Sequence, residues 1–166
     1  LSTCGAVWSQ IAVSSTDISN SEKEFTAAEK MNPADWADPE ELDRTWRAAL
    51  IKLPEKHQDI PSDLTDPTSV KVSPNLKRLP TIIYLHGCSG IWSGTHARMD
   101  AFQRGGFAVI APVSLARNKY PQSCDLVKKV GGFYRSVLKM RQFDALHAIR
   151  EARKLNWVDP DNIFLV

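Results

Sequence analysis

The sequence predicts an α/β fold with a mostly parallel sheet. Three apolar segments of strand length occupy residues 81–85, 107–111 and 163–166, and helical patterns at 93–104 and 138–156 separate them. Continuous apolar strands of this kind are typical of a parallel sheet that is buried on both faces. A right-handed crossover between such strands places the helices on the two faces of the sheet.

Small and turn-forming residues mark the ends of these elements. Gly87 and Gly90 close the first strand, and Gly105-Gly106 ends the helix that follows it. Ser93 stands where a side-chain cap for that helix is expected. Residues 159–162, Asp-Pro-Asp-Asn, predict a turn before the last strand.

Two further helices are predicted before the sheet. Ser21 and Glu24 form a capping box, which starts a short helix that ends near Met31. Asp38, followed by a proline and two acidic residues, starts a second helix that Pro54 ends. The apolar face of this second helix is formed by Leu42, Trp46, Ala49 and Leu50.

The chain therefore divides into three parts. Residues 1–20 are rich in Ser and Thr and are predicted to be a flexible tail. Residues 21–75 are predicted to be an extension of helices and loops, with one short strand around residues 70–72. Residues 76–166 carry the strand–helix alternation and are predicted to form the sheet domain.

Composition limits the class of protein. A chain of 166 residues, with 43% hydrophobic and 24% charged residues, is ordinary for a globular domain with its own core. It contains no run of 18 apolar residues, so no membrane span is predicted. The chain starts with Leu1 and retains no signal-peptide pattern, which indicates an excerpt or a processed product. Cytoplasmic and exported locations are both open.

Charge is distributed unevenly along the chain. Residues 1–75 carry 13 acidic and 7 basic residues, whereas residues 76–166 carry 6 acidic and 14 basic ones. Nucleic-acid binding is not favoured, because the basic residues lack interleaved aromatic residues or a recognised binding motif. A rim for an anionic substrate, an acidic missing half and a solvated face remain the three interpretations.

The loop after the first predicted strand excludes two nucleotide-binding families. Its sequence at 86–90 is His-Gly-Cys-Ser-Gly, which supplies neither the Gly-x-Gly-x-x-Gly turn nor the Gly-Lys-Ser/Thr of a P-loop. No Cys and His spacing is that of a zinc site. We therefore predict no cofactor and no metal.

The order of several short motifs resembles the dienelactone hydrolase family of α/β hydrolases. The motifs are YLHGCSG at 84–90, GFAVIAP at 106–112, AR at 116–117 with CD at 124–125, RQFDA at 141–145 and VDPDNI at 158–163. The resemblance covers about half of the chain, residues 79–166. It implies that residues 76–166 are the first half of a three-layer α/β-hydrolase-type sandwich, truncated before the nucleophile elbow.

The resemblance also implies a chemistry. A Cys or Ser nucleophile would follow the strand at 163–166, and an acid and a His would come later, so the triad is expected beyond Val166. The substrate would be a small ester or lactone. The Cys88 backbone N–H, in the loop that contains Gly87, would be one donor of the oxyanion hole. The 166-residue chain alone is therefore expected to be inactive.

Other candidate residues receive supporting roles. We expect His86 to support the loop rather than act as a base. His96, unless it is a surface residue, and Arg117 are the candidate substrate contacts. The resemblance also suggests a Cys88–Cys124 disulfide if the protein is exported.

Two further histidines carry weaker predictions. Asp144 and His147, three residues apart on one helix, suggest a local pair without a catalytic role. His57 receives no specific role.

The alternative to an enzyme is a non-catalytic binding or assembly module that uses half of the fold and is completed by a C-terminal half or a second chain.

Overall fold

The fold is an α/β arrangement of a four-stranded mixed sheet with helices on both faces. The computed structural model describes residues 33–54, 66–72, 77–118, 124–125, 127, 129–131 and 135–166. The predicted tail at 1–20 and the predicted helix at 21–31 lie outside these residues. Within the described part of the chain, no helix has both the length and the apolar character needed to cross a membrane.

The described elements follow one another in the order of the chain. They are α1 (Pro33–Trp36), α2 (Pro39–Arg47), β1 (Leu50–Lys52), β2 (Leu79–Ile83), α3 (Ser93–Arg104), β3 (Ala108–Ala111), β4 (Cys124–Asp125), β5 (Val130–Gly131), α4 (Arg135–Ala152) and β6 (Val158–Leu165). Short 3₁₀ turns occupy Pro67–Ser69 and Ser114–Ala116.

The main sheet has the strand order β1-β3-β2-β6. Strand β2 lies in the centre and pairs in parallel with β3 and with β6, so that Ile82 stands opposite Val109 on one side and Phe164 on the other. The predicted parallel pairing is therefore present. The carboxyl ends of β2, β3 and β6 meet at one edge of the sheet, which we call the carboxyl edge.

The second predicted helix starts as expected but ends early. Asp38 accepts a hydrogen bond from the Glu40 N–H at 3.0 Å and caps α2. The helix ends at Arg47, and Leu50–Lys52 form the edge strand β1, antiparallel to β3. The expectation that the helix runs to Pro54 was wrong. Pairing with β3 supplies β1 with backbone partners, and a three-residue strand has no periodicity that would reveal this.

Other predicted boundaries also move. Val70 is buried in the core, but residues 70–72 form no strand. Helix α3 has the predicted bounds, yet the residue at its cap is Trp92, without a side-chain hydrogen bond, and Ser93 is already helical. Helix α4 covers 135–152 rather than 138–156.

The predicted turn at 159–162 lies within β6 as an irregularity. Val158 pairs with Leu79 and Ile163 pairs with Thr81, so four residues on β6 stand opposite one on β2. Asp159 accepts hydrogen bonds from the Asp161 N–H and the Asn162 side chain, which close this segment locally. The hydrogen bonds expected of a turn are therefore present, but they lie within strand β6 and not before it.

Two apolar clusters fill the space between the sheet and its helices. Trp46 on α2 and Ala148 on α4 pack with Ile83 and Ile110 on one face of the sheet. Met99 on α3 packs on the opposite face. The residues that accompany Met99 there are Ile82, Tyr84, Val109 and Ala111. Successive residues of each central strand point to opposite faces, and both faces are covered.

The end of β6 differs from the prediction of a buried strand. Phe164, Leu165 and Val166 are 47%, 53% and 54% exposed. The cause is their position, because β6 is the last strand in the order of the sheet and no described strand pairs with its outer edge. Apolar composition alone does not bury a strand that lacks a neighbour.

Candidate oxyanion-binding loop

The loop at residues 84–92 leaves the central strand at the carboxyl edge. Its first two residues continue the sheet, since the Tyr84 N–H donates to the Ile110 carbonyl at 2.9 Å and the Leu85 N–H donates to the Val166 carbonyl at 2.8 Å. The loop therefore starts between the ends of β3 and β6.

A tight turn follows at residues 87–90. The Gly90 N–H donates to the Gly87 carbonyl at 3.0 Å. Gly90 has a φ of 78°, and a Cβ at this position would meet the Leu115 side chain. Glycine is the residue that adopts this conformation without strain and leaves room for the close approach. The glycine in the motif is thus explained by backbone geometry.

His86 is fully buried and is hydrogen-bonded through both ring nitrogens. Its Nε2 accepts from the Ser114 N–H at 3.0 Å, and its Nδ1 lies 2.7 Å from the Gly87 carbonyl oxygen. A backbone N–H only donates and a carbonyl only accepts, so Nε2 is unprotonated and Nδ1 carries the proton. Burial, as the largest cause, lowers the pKa of His86 below 6.5, which keeps the ring neutral.

Cys88 contributes a free backbone donor and an occupied side chain. Its N–H has no acceptor among the described residues. Its sulfur is bonded to Cys124 of β4, with the two Cα atoms 5.8 Å apart. The disulfide ties the loop after β2 to the small β4–β5 sheet. A disulfide-bonded sulfur is not a thiolate nucleophile.

A cleft of about 520 Å³ opens beside the loop. It lies between the end of β2, the end of β6 and α4. Its lining is mostly apolar and consists of Leu85, His86, Gly87, Leu138, Arg141, Gln142, Ala145, Leu146, Ile149 and Leu165. Such a lining suits the apolar part of a small ligand, with a few polar groups to orient it.

Helix α4 also contacts the loop directly. The Arg141 guanidinium donates to the His86 carbonyl through Nη2. A second cavity, beside Glu40, Arg44 and Arg47 of α2, is lined by charged residues of an exposed helix face and by none of the residues at 84–92. The cleft beside the loop is therefore the better candidate for a ligand.

Arg117 does not line this cleft. Its side chain is buried, with Nε 3.0 Å and Nη2 2.5 Å from Oδ1 of Asp144. Its Nη1 and Nη2 donate to the carbonyls of Asp35 and Trp36, each at 3.0 Å. The predicted contact with substrate is not what the geometry provides. The guanidinium instead ties α1, α4 and the segment after β3 together.

The expected local pair of Asp144 and His147 is likewise replaced. Asp144 faces Arg117, and Nε2 of His147 lies 3.4 Å from Oδ1 of Asp43 on α2. Burial, as the largest cause, lowers the pKa of His147. His96 is exposed in the first half of α3, and His57 lies outside the described residues.

The remaining parts of a hydrolytic site are not found among the described residues. No Ser, Thr or Cys side chain there hydrogen-bonds to a histidine, so no activated nucleophile is assembled. No group of three potential metal ligands occurs in this part of the chain either. The site that the described residues form is the loop at 84–92, which His86 and Arg141 hold in place, with the Cys88 N–H unpaired among these residues and a cleft beside it.

Sequence reasoning missed the residues that hold the loop. Ser114 acts through its backbone N–H and carries no sequence signal for that role. Arg141 was part of one of the motifs that carried the resemblance, but its contact with the His86 carbonyl arises from the packing of α4. These features place the chain among α/β proteins with a candidate anion-binding loop at the carboxyl edge. No family model, curated protein or solved structure matches the chain.

Proposed function

We propose that residues 76–166 form the oxyanion-binding part of an α/β hydrolase of the dienelactone hydrolase type, which cleaves an ester or a lactone. The observation that carries the proposal is the Cys88 N–H, which has no acceptor among the described residues and belongs to a His-Gly loop that starts beside the end of β6. In α/β hydrolases the nucleophile occupies a sharp turn after a strand, and a backbone N–H of a neighbouring loop completes the oxyanion hole.

The strand pairing supports this assignment. Leu85 at the start of the loop is hydrogen-bonded to Val166 at the end of β6. A turn that directly follows β6 would therefore stand beside the start of the loop that contains Cys88. The helices on both faces of the sheet support the proposal of a three-layer sandwich.

The proposed chemistry divides between this loop and a Cys or Ser outside the described residues. That nucleophile would attack the carbonyl carbon, and the developing oxyanion would accept a hydrogen bond from the Cys88 N–H. A second donor would come from the residue that follows the nucleophile. The apolar cleft beside Leu85 and Leu165 would hold the hydrocarbon part of the substrate. No metal or cofactor is required by this scheme.

The first test reads the gene and assays the protein that it encodes. A Gly-x-Cys/Ser-x-Gly motif directly after Val166, with an acid and a His further on, supports the proposal. A stop codon at Val166 favours a non-catalytic module. The 166-residue chain should hydrolyse p-nitrophenyl acetate no faster than the blank. Turnover of this chain that Cys88→Ala abolishes would show that the nucleophile is Cys88 after all.

The second test removes the donor atom itself. In the protein that contains the nucleophile, Cys88→Pro deletes the N–H, and kcat should fall about 100- to 1,000-fold. Cys88→Ala, the matched control, loses the same disulfide but retains the N–H, so it should retain most of kcat. Equal activity of the two variants, with both folded by circular dichroism, would contradict an oxyanion role for this N–H.

The alternative, an assembly module, is favoured by the exposed apolar end of β6. Phe164, Leu165 and Val166 lie on an edge whose outer side has no described partner. Such an edge pairs readily with another strand. Light scattering after gel filtration distinguishes the two ideas, because a stable complex formed through this edge, without hydrolysis of esters, would favour the module.

A further inference from the structure

The orientation of the peptide between Gly87 and Cys88 is set by hydrogen bonds to its carbonyl. That carbonyl lies 2.7 Å from Nδ1 of His86 and also accepts the Gly90 N–H at 3.0 Å. The described residues contain no cis peptide bond. In a trans peptide the C=O and N–H point in opposite directions, so a carbonyl held against the buried ring turns the Cys88 N–H away from it.

The ring that holds this carbonyl is itself fixed from the other side. The Ser114 N–H, in the 3₁₀ turn after β3, donates to Nε2 at 3.0 Å. This donor selects the tautomer with a proton on Nδ1, which is the tautomer that donates to Gly87. The turn after β3 therefore determines, through one imidazole, where the Cys88 N–H points.

Polarisation adds to orientation. A carbonyl that accepts hydrogen bonds draws electron density from its amide nitrogen, and chains of hydrogen bonds strengthen one another inside a protein. The Cys88 N–H is thus a stronger donor while the Gly87 carbonyl is held by both of its partners.

The other contacts of His86 do not substitute for the ring. Arg141 on α4 reaches the His86 carbonyl, not the imidazole, and therefore fixes the start of the loop. The charged groups of α4 that act on the ring are Arg141 and Asp144, and their effects on its protonation oppose each other. The neutral ring is the element that connects Ser114 with Gly87.

We infer that His86 is a positioning residue, which aims and polarises the Cys88 N–H through a neutral imidazole whose tautomer is selected by Ser114. This inference rests on the proposed function, because only an oxyanion-binding role gives the orientation of the Cys88 N–H a purpose. The geometric part, which is the tautomer and the held peptide, stands apart from that function and is measured separately.

The geometric part is tested in the 166-residue chain by NMR. Two-bond ¹⁵N–¹H correlations should show His86 with a protonated Nδ1 and a bare Nε2 above pH 7 or so. The Cys88 amide proton should shift when acetate is added as a carboxylate probe. A proton on Nε2, or no response of the Cys88 amide to acetate, would overturn the inference whether or not the protein is an enzyme.

A matched pair of variants separates the two hydrogen bonds. In His86→Asn the side-chain amide nitrogen takes the place of Nδ1 and still donates to Gly87, whereas the acceptor for Ser114 is lost. In His86→Gln the side-chain oxygen reaches the place of Nε2 and accepts from Ser114, whereas the donor to Gly87 is lost. The pair differs in which bond remains, and both variants lose one buried bond.

The inference predicts that the two variants differ in kcat and not in stability. In the protein that contains the nucleophile, His86→Gln should lose about 100-fold in kcat with little change in KM, and His86→Asn should lose clearly less. The Cys88 amide response to acetate should follow the same order. Equal losses that track the loss of stability would assign His86 a purely structural role and overturn the inference. If the wild-type protein hydrolyses no ester, the proposed function fails, and the NMR measurement alone decides the positioning.

Discussion

Two buried polar clusters near the carboxyl edge look alike by burial and differ in what they leave free. The first, the Arg117 cluster, contains Arg117 and Asp144 with the carbonyls of Asp35 and Trp36. The second, the His86 cluster, contains His86 with the Ser114 N–H and the Gly87 carbonyl. Each of the two joins several segments, and the central side chain of each is almost completely inaccessible to solvent.

The difference lies in charge and in unused donors. Each nitrogen of the Arg117 guanidinium donates to Asp144 or to a backbone carbonyl, and the side chain is 1% exposed, so this cluster presents no accessible donor to a ligand. The His86 ring is neutral and both of its nitrogens are hydrogen-bonded, yet the peptide that it holds carries on its other side an N–H with no acceptor in the described part of the chain. Burial of a polar residue is therefore weak evidence for function. The useful question is which donor the buried group leaves unoccupied.

The largest expected effect on stability comes from a substitution that breaks the Arg117 cluster. Asp144→Ala leaves the Arg117 charge buried without its partner, and it should lower the free energy of unfolding by about 3–5 kcal/mol. Urea denaturation measures this loss. Replacing both residues, Arg117→Met with Asp144→Leu, should recover most of it because no charge then remains buried.

One control variant and one contradicting outcome complete that experiment. Lys154→Ala breaks an exposed ion pair with Glu151 and should change stability by no more than about 0.5 kcal/mol. If the double replacement folds well and the protein still loses its affinity for substrate, Arg117 contacts substrate and our correction of its role is wrong.

The next effect concerns the disulfide that anchors the loop of the His86 cluster. Cys88 and Cys124 are 36 residues apart, and closing a loop of that length should stabilise the fold by about 3–4 kcal/mol in the chain-entropy model. Replacement of both residues by Ala, or reduction of the wild-type protein, should lower the urea midpoint accordingly. Mass spectrometry after alkylation, with and without reductant, checks the bond itself. Equal masses in the two samples would remove it.

The smallest expected effect is a pH dependence that belongs to the His86 cluster. The folded protein lowers the pKa of His86 below the unfolded value of 6.5, chiefly by burial, so the unfolded state binds the proton more readily. The stability from the neutral ring is complete above pH 6.5 and is lost as the pH falls from there through the folded pKa.

The pKa of His147 is lowered as well, so variants are needed to separate the contributions of the two rings to the pH dependence of stability. Urea denaturation between about pH 5 and 8 should show a smaller loss of stability at acid pH in His86→Gln than in the wild type. His147→Gln serves as the control for the ring outside the cluster. If His86→Gln loses as much stability at acid pH as the wild type, protonation of the His86 ring is not the cause of that loss.

Strands β3 and β6 show how far the sequence predicts burial. Both are apolar, both were predicted to be buried, and both pair in parallel with β2. All four residues of β3 are buried because β1 covers its outer edge, whereas the last residues of β6 are half exposed because no described strand does the same for it. The pattern reports the composition of a strand and not its place in the sheet.

The same limit explains the missed strand β1. Leu42, Trp46, Ala49 and Leu50 have helical spacing, which favoured one long helix. Leu50 instead pairs with Ala111, more than sixty residues later, and this pairing satisfies its backbone in a way that local periodicity does not report. By contrast, the start of α2 was predicted correctly because Asp38 acts on its own neighbours.

The sequence by itself determined the α/β class, the parallel core strands, the bounds of α3 and the tight loop after β2. These features depend on periodicity, capping and glycine, which act over a few residues. Only the tertiary structure decided that Arg117 pairs with Asp144, that Ser114 selects the tautomer of His86 and that the Cys88 N–H has no acceptor among the residues described. The first two contacts join residues 27 and 28 positions apart, and they exist because the sheet brings its carboxyl ends to one edge.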